Sequence, residues 1–218
     1  MRNTDAQIRQ HLIEPKKVRQ TLGFLGILFP FALAGIVFIS GDCALQPSIS
    51  HYYHTVAGGV FVGFLCAYAM FLFAYRGYDY KDSRAANVAA TFAIITAVVP
   101  TTWQEEYACT RAPWFSNQLI HLTAAGLFFI VLAYISIFLF RKTDAGRPQT
   151  MRKKKRNTVY LICGIGMLAC LGAIVIYMLL ANKNPNLKEL KLVFWFESFA
   201  LLLFGVSWLV KGEFVLAD

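Results

Sequence analysis

Residues 159–180 read VYLICGIGMLACLGAIVIYMLL, an uninterrupted apolar run without a charged side chain. A helix of this length can cross the hydrocarbon core of a bilayer, which is about 30 Å thick. The run follows closely on the basic stretch RKKKR at residues 152–156. An apolar segment beside a cluster of cations is typical of a transmembrane helix whose charged end lies in the cytoplasm.

Five further stretches of the chain are apolar over a comparable length. Because none of them alternates polar and apolar residues, as a barrel strand would, we expect helices. The sequence therefore predicts an all-α integral membrane protein, a bundle of six transmembrane helices. A polar segment at residues 1–20 precedes the membrane domain at residues 21–210, and a tail follows at residues 211–218. The five further stretches are residues 21–40, 56–75, 85–102, 119–140 and 192–210.

The composition excludes several classes of protein. Hydrophobic residues make up 57% of the chain and charged residues only 15%, whereas soluble domains carry about a quarter charged residues. A soluble enzyme, a disordered chain and a fibrous protein are therefore poor fits. The net charge of +9 would suit nucleic acid, but no zinc-finger, RNA-binding or helix-turn-helix pattern accompanies it. We predict a protein of the lipid bilayer with no nucleic-acid partner.

The lysines and arginines predict the orientation of the bundle. Seventeen of the 21 lie before the first span, in the second and fourth connections, or after the last span. Such a bias places those segments, and so both termini, in the cytoplasm. The first span follows a long polar segment and is of full length, which favours a signal anchor over a cleaved signal peptide. We interpret residues 152–156 as a topology determinant, with an anionic-lipid or partner site as the alternative.

Polar residues that are unusual in a membrane protein gather on the predicted external side. His51 and His54 precede the second span, and Ser50 lies four residues before His54. His121 lies about one turn into the fourth span, and Glu197 lies inside the sixth. A carboxylate within a span usually faces the bundle interior and has a partner there. We predict a polar pocket under the external surface, lined by the second, fourth and sixth spans, with His54 or His121 as the partner of Glu197.

Imidazole and carboxylate groups together suit zinc, and a catalytic zinc keeps three protein ligands and a water. The predicted metal ligands are His51, His54 and His121, with Ser50 and Glu197 as catalytic residues. Water activated by the metal would then attack an ester or amide of a lipid or other amphiphile. Haem held between His54 and His121 is a second alternative.

A third alternative is a pocket without a metal, in which the histidines only form hydrogen bonds. The protein would then be a non-enzymatic carrier or sensor that binds a lipid or another small molecule. A structural subunit of a membrane complex is a further alternative. The sequence leaves open whether the chain is an enzyme, and it predicts no oligomeric state.

Two of the five cysteines, Cys43 and Cys109, lie in the first and second external loops. An external compartment is oxidising and supports disulfides. We predict a Cys43–Cys109 disulfide, with two unpaired external thiols as the alternative. The other three cysteines lie within spans, where a free cysteine behaves as a small apolar residue.

Several stretches resemble a group of multi-pass bacterial membrane proteins to which no activity is assigned. The resemblance covers about residues 45–180 and implies a location in the bacterial inner membrane. It is carried by SISHYYHT at 48–55, FVGFL at 61–65, FLFAYRGYD at 71–79, FAI at 92–94, PTT at 100–102, His121 and FLFRKT at 138–143.

The motif Ser50-x-x-x-His54-Thr55 is similar to the first motif of the membrane hydrolase superfamily of alkaline ceramidases and adiponectin-receptor-like proteins. That superfamily uses one serine, one aspartate and three histidines around zinc, so the resemblance implies zinc hydrolysis. Ser50 and His54 match its first motif. The aspartate has no match, because Asp79 lies at the opposite membrane face, and of the late histidine pair only His121 is present.

Overall fold

The computed structural model describes residues 14–41, 44–105, 109–110, 113–143, 150–181, 184 and 189–217. These residues form long helices and contain no strand, which confirms the prediction of an all-α protein. A 3₁₀ helix, Ile49–His54, precedes α2, and a π-helical turn, Ile135–Leu139, continues α4. The long helices are α1 (Pro15–Ser40), α2 (Gly58–Ala74), α3 (Tyr80–Val98), α4 (Gln118–Tyr134), α5 (Met151–Ala181) and α6 (Leu192–Lys211).

Four of these helices are long and apolar enough to cross a membrane, by length and composition. They are α1, α4 with its π-helical continuation, α5 and α6. Helix α2 is apolar but has only 17 residues. Helix α3 is rich in alanine and buries its small side chains against its neighbours. The prediction that all six helices span the membrane, with both termini on one side of it, stays a prediction.

The helices pack in chain order around the bundle. Each contacts the next one along the chain, and α6 closes the ring by packing against α1. Aromatic rings from four helices fill the centre. The ring of Tyr68 lies 5.8 Å from that of Phe29, 6.2 Å from that of Phe128 and 5.7 Å from that of Phe204, measured between centroids. Aromatic pairs at such distances favour edge-on and tilted packing, which holds α1, α2, α4 and α6 together.

Helices α1 and α6 approach closely because glycines face each other at their crossing. A Cβ atom added to Gly205 would lie 2.7 Å from the carbonyl oxygen of Gly23. The four-residue spacing of Gly59 and Gly63 predicts a similar approach on α2, but an added Cβ there meets none of the described residues within 4 Å. That prediction is wrong because the packing face of α2 is formed by larger residues, among them Phe61 and Tyr68.

The start of α1, the start of α5 and the end of α6 lie together, and we call this end of the bundle the basic end. The Gln20 amide donates to the Gly212 carbonyl oxygen at 2.9 Å, and Arg152 donates to the Ala217 carbonyl oxygen at 2.8 Å. Lys16 forms an ion pair with Glu213. The described ends of the chain are therefore neighbours. The opposite end carries His51, His54 and His121, and we call it the histidine end.

Candidate functional site

The loop between α1 and α2 positions two of the histidines by folding into a 3₁₀ helix. Its N-cap is Ser48, whose hydroxyl accepts a hydrogen bond from the His51 N–H at 3.3 Å. Thr55 ends the helix and donates through its hydroxyl to the Tyr52 carbonyl oxygen at 2.8 Å. A 3₁₀ helix has three residues per turn, so His51 and His54 share a face.

Ser50 and His121 form the shortest link between this helix and α4. The Ser50 hydroxyl lies 2.8 Å from His121 Nε2, and His121 Nδ1 lies 2.6 Å from the Val99 carbonyl oxygen. A carbonyl oxygen only accepts hydrogen bonds, so Nδ1 carries the proton and Nε2 of the neutral ring accepts from Ser50. A hydroxyl paired with an oriented imidazole is the arrangement that activates a serine nucleophile.

The other two histidines bond to protein groups as well. His54 is buried and donates from Nε2 to the Thr101 carbonyl oxygen at 3.0 Å. His51 Nδ1 lies 2.6 Å from the Ser48 hydroxyl. Burial, and then the neighbouring His54 and His121 rings, lowers the pKa of His51 to about 4. Burial also lowers the pKa of His54, against the opposing effect of its bond to Thr101. Both rings are therefore neutral at pH 7.

Glu197 bonds to the backbone rather than to an imidazole. Its carboxylate accepts a hydrogen bond of 2.6 Å from the Ile49 N–H, at the first residue of the 3₁₀ helix. The predicted pairing with His54 or His121 is absent from the described contacts, because those rings bond to Thr101, Val99 and Ser50 instead. A carboxylate at the start of a helix satisfies an amide that would otherwise lack a partner.

A cavity of about 230 Å³ lies between the 3₁₀ helix, α4, α5 and α6, and we call it the serine cavity. Its polar lining includes Ser50, His51, Gln104, Gln118 and Glu197, and its apolar lining includes Leu122, Ile174, Met178 and Val193. Ser50 and Glu197 also line a small apolar cavity of about 30 Å³ beside Phe61 and Phe128. The two residues therefore form the wall between a polar chamber and the aromatic core.

The serine cavity differs from the predicted pocket in the helices that line it. Helix α5 contributes Ile174, Tyr177 and Met178, which sequence reasoning did not include, whereas no residue of α2 lines this cavity. A weak signal for α5 was Tyr177, which carries a polar hydroxyl near the end of this apolar run. Because apolar residues dominate both the lipid face and the cavity face of α5, composition did not separate the two.

The described residues contain no group of three or more His, Cys, Asp or Glu side chains placed to hold a metal ion. Zinc and haem iron both bind an imidazole through a nitrogen with a free lone pair. His54 uses Nε2 to donate to the Thr101 carbonyl oxygen, which leaves Nδ1 as its lone-pair nitrogen, whereas both nitrogens of His121 are used by Val99 and Ser50. A metal bound to His121 would therefore have to displace the Ser50 hydroxyl from Nε2.

The loop between α3 and α4 contacts the 3₁₀ helix through Cys109. The Cys109 N–H donates to the His54 carbonyl oxygen at 3.0 Å. Cys43 lies outside the described residues, so the Cys43–Cys109 disulfide stays a prediction. Cys66, Cys163 and Cys170 are free thiols.

Comparisons with family models, with curated proteins and with solved structures find no match for this chain. Its fold and site alone define its class. It is an all-helical, apolar protein of the membrane type, with a partly polar cavity at one end of the bundle. Both resemblances drawn from its motifs stay predictions.

Proposed function

We propose that this chain is a multi-pass protein of the bacterial inner membrane that binds an amphiphilic molecule in the serine cavity. The carrying observation is the lining of that cavity, in which Glu197, Gln104 and Gln118 lie opposite Ile174 and Met178. Binding sites for small molecules combine an apolar surface with a few polar groups that orient the ligand.

The size and position of the cavity favour part of an amphiphile. About 230 Å³ is below the usual 300–1,000 Å³ of drug-sized sites, so a headgroup fits with its chain directed elsewhere. Ile174 and Met178 lie on α5 beside Val175, whose side chain is exposed. An acyl chain that left the cavity along α5 would meet these apolar side chains. With the basic end in the cytoplasm, the cavity opens toward the external leaflet.

Adjacent residues of α5 offer a matched test. Met178 lines the cavity, whereas Leu179 is exposed on the outer face of the same helix. Protein purified in mild detergent is extracted, and its bound lipids and small molecules are identified by mass spectrometry. We expect an amphiphile to be retained by the wild type and by Leu179→Trp but lost from Met178→Trp, which fills the cavity. Equal retention by the two variants, or none by the wild type, would refute binding at this site.

A second candidate function is hydrolysis without a metal, and the 2.8 Å distance between Ser50 Oγ and His121 Nε2 favours it. Ser50 would attack an acyl carbonyl while its proton passes to His121, which then protonates the leaving group. Water would release the acyl group from Ser50 with the same imidazole as base. The Val99 carbonyl oxygen would hold the ring in the required tautomer.

A fluorophosphonate probe separates hydrolysis from simple binding, because it forms a bond only with an activated serine. We expect labelling of the wild type at Ser50, loss of labelling in Ser50→Ala and His121→Gln, and labelling retained in His51→Gln. Ser48 lines the same cavity, with its hydroxyl 2.6 Å from His51 Nδ1, so labelling at Ser48 that is lost in His51→Gln would contradict Ser50 as the nucleophile. If the wild type is not labelled but still retains an amphiphile, the hydrolase proposal is refuted and the binding proposal is supported.

A further inference from the structure

A groove of about 420 Å³ lies at the basic end, between the π-helical end of α4 and the start of α5. We call it the basic groove. It is lined by Ile137, Phe138, Arg141, Lys142, Lys154 and Asn157. It lies at the opposite end of the bundle from the serine cavity, so its function is independent of the one proposed above.

We propose that the basic groove binds the phosphate headgroup of an anionic phospholipid from the cytoplasmic leaflet. Arg141 and Lys154 supply the positive charge from its two sides. Among the described residues, no ion pair involves either of them. Both line the groove, and none of the described carboxylates does. Arginine and lysine side chains in such a lining suit a phosphate group.

The third cation of the groove is already neutralised and has a different role. Lys142 lies 3.0 Å from Asp79 and 2.5 Å from the buried Asp82. The hydrogen bond from Lys142 holds the pKa of Asp79 below its usual value. Asp82 also accepts from the Tyr78 N–H at 2.6 Å. Lys142 therefore ties the end of α4 to the start of α3, and the unneutralised charge is left to Arg141 and Lys154.

Two contacts between α4 and α5 hold the groove open at a defined width. Ser136 donates to the Tyr160 carbonyl oxygen at 2.9 Å. A Cβ on Gly164 would lie 3.1 Å from the Ala133 carbonyl oxygen, so the helices touch there. Beyond this point α4 widens into its π-helical turn, which Phe140 closes by donating to the Ile135 carbonyl oxygen at 2.9 Å. Such turns are frequent at functional sites.

The aromatic side chains beside the groove favour a lipid over free phosphate. Phe138 is 59% exposed, and its ring lies 5.3 Å from that of Tyr134, which is 44% exposed. Both belong to a helix long and apolar enough to span a membrane. Exposed aromatics near the end of such a helix are typical of the interfacial belt, where headgroups lie. A phosphate between Arg141 and Lys154 would place its acyl chains along Phe138 and Tyr134.

Native mass spectrometry of the detergent-purified protein tests the proposal. The probes are phosphatidylglycerol and phosphatidylcholine, added at equal concentration. The test variant is Arg141→Gln with Lys154→Gln. The control is Lys17→Gln with Lys155→Gln, which removes two charges from exposed side chains outside the groove. We expect the wild type to retain phosphatidylglycerol in preference to phosphatidylcholine. In the test variant the affinity for phosphatidylglycerol should fall about 30-fold, given the attraction of each cation to anionic lipid. In the control variant the affinity should be unchanged.

Three results would overturn the proposal. Equal loss in the control would show general attraction without a defined site, and equal binding of phosphatidylcholine would show no headgroup selection. Displacement of phosphatidylglycerol by inorganic phosphate alone would identify a site for the free anion. If the double variant fails to fold, the exposed Lys154→Glu replaces it, with Lys155→Glu as its control. Equal retention of phosphatidylglycerol by those two variants would also refute binding in the basic groove.

Discussion

Ser50 and His121 are 71 residues apart in the chain, yet the Ser50 hydroxyl lies 2.8 Å from His121 Nε2. Their bond joins the 3₁₀ helix before α2 to the first turn of α4. The Val99 carbonyl oxygen, just after α3, orients the same imidazole. Three separate segments at the histidine end are therefore connected through one buried ring. Nε2 of that ring can accept from Ser50 only while the ring is neutral, so the arrangement depends on the protonation state of His121.

Acid is expected to destabilise the histidine end through His51. Its pKa is lowered to about 4 in the folded protein, from about 6.5 in an unfolded chain. The unfolded state therefore binds more protons between these values, so stability falls as the pH drops from about 6.5 to about 4. The loss is at most about 3.5 kcal/mol, since one unit of pKa shift is about 1.4 kcal/mol.

Thermal unfolding in detergent across this pH range measures the effect. We expect the midpoint of the wild type to fall as the buffer is acidified. His51→Gln has no ring to protonate, so its midpoint should change less over the same range. Parallel curves for the two proteins would show that His51 carries none of the acid sensitivity.

The close crossing of α1 and α6 predicts opposite outcomes for two glycines. Gly205→Ala places a Cβ 2.7 Å from the Gly23 carbonyl oxygen, so the helices must move apart. We expect a loss of about 1–3 kcal/mol, as for other overpacked cores. In Gly59→Ala the new Cβ meets none of the described residues within 4 Å. That variant should be neutral or slightly stabilised, because alanine is the better helix former.

Unfolding midpoints of both glycine variants, compared with the wild type, check this prediction. An equal effect of the two substitutions would mean that the α1–α6 crossing is looser than the structure shows. Gly23→Ala provides a second test on the opposite helix. Its Cβ would lie 2.9 Å from the Gly205 carbonyl oxygen, so it should behave like Gly205→Ala.

Hydropathy located the long apolar helices well, but it did not locate the polar ends of those helices. The predicted run at 192–210 corresponds to α6 at Leu192–Lys211. Helix α5 begins at Met151 and includes the whole basic stretch before its apolar run. Lysine and arginine favour helices, so the helix continues past the apolar segment. Hydropathy identifies the part of a helix that suits lipid. The helix itself continues until a capping residue ends its backbone hydrogen bonding.

The candidate site, too, could be predicted only in part from the sequence. Ser50, His51 and Glu197 could be placed together because each is polar and lies near the same end of its apolar run. The partners of His121, His54 and Glu197 could not be predicted, since Val99, Thr101 and Ile49 bond through backbone groups that nearly every residue carries. The zinc hypothesis counted imidazoles, whereas the described residues bring no three His, Cys, Asp or Glu side chains together to hold a metal.

The described residues contain no clustered set of metal ligands, which predicts little bound metal. We expect elemental analysis of detergent-purified protein to find zinc and iron well below one atom per chain. His54→Ala should leave both values unchanged, because His54 belongs to no such set among the described residues. Zinc near one atom per chain that is lost in His54→Ala would instead support the metal-dependent hydrolase. Iron with the same behaviour would support haem.

The last prediction concerns the disulfide between Cys43 and Cys109. Three of the five cysteines are free thiols, which leaves Cys43 and Cys109 as the available pair. Cys109 also donates its N–H to the His54 carbonyl oxygen, so a bridge there would restrain the 3₁₀ helix that carries Ser50. We expect three thiols in the denatured protein without reductant and five after reduction. Cys109→Ser should expose one new thiol and lower the free energy of unfolding by about 2–4 kcal/mol, as is typical for loss of a disulfide. Five thiols before reduction would mean that the two external cysteines are unpaired.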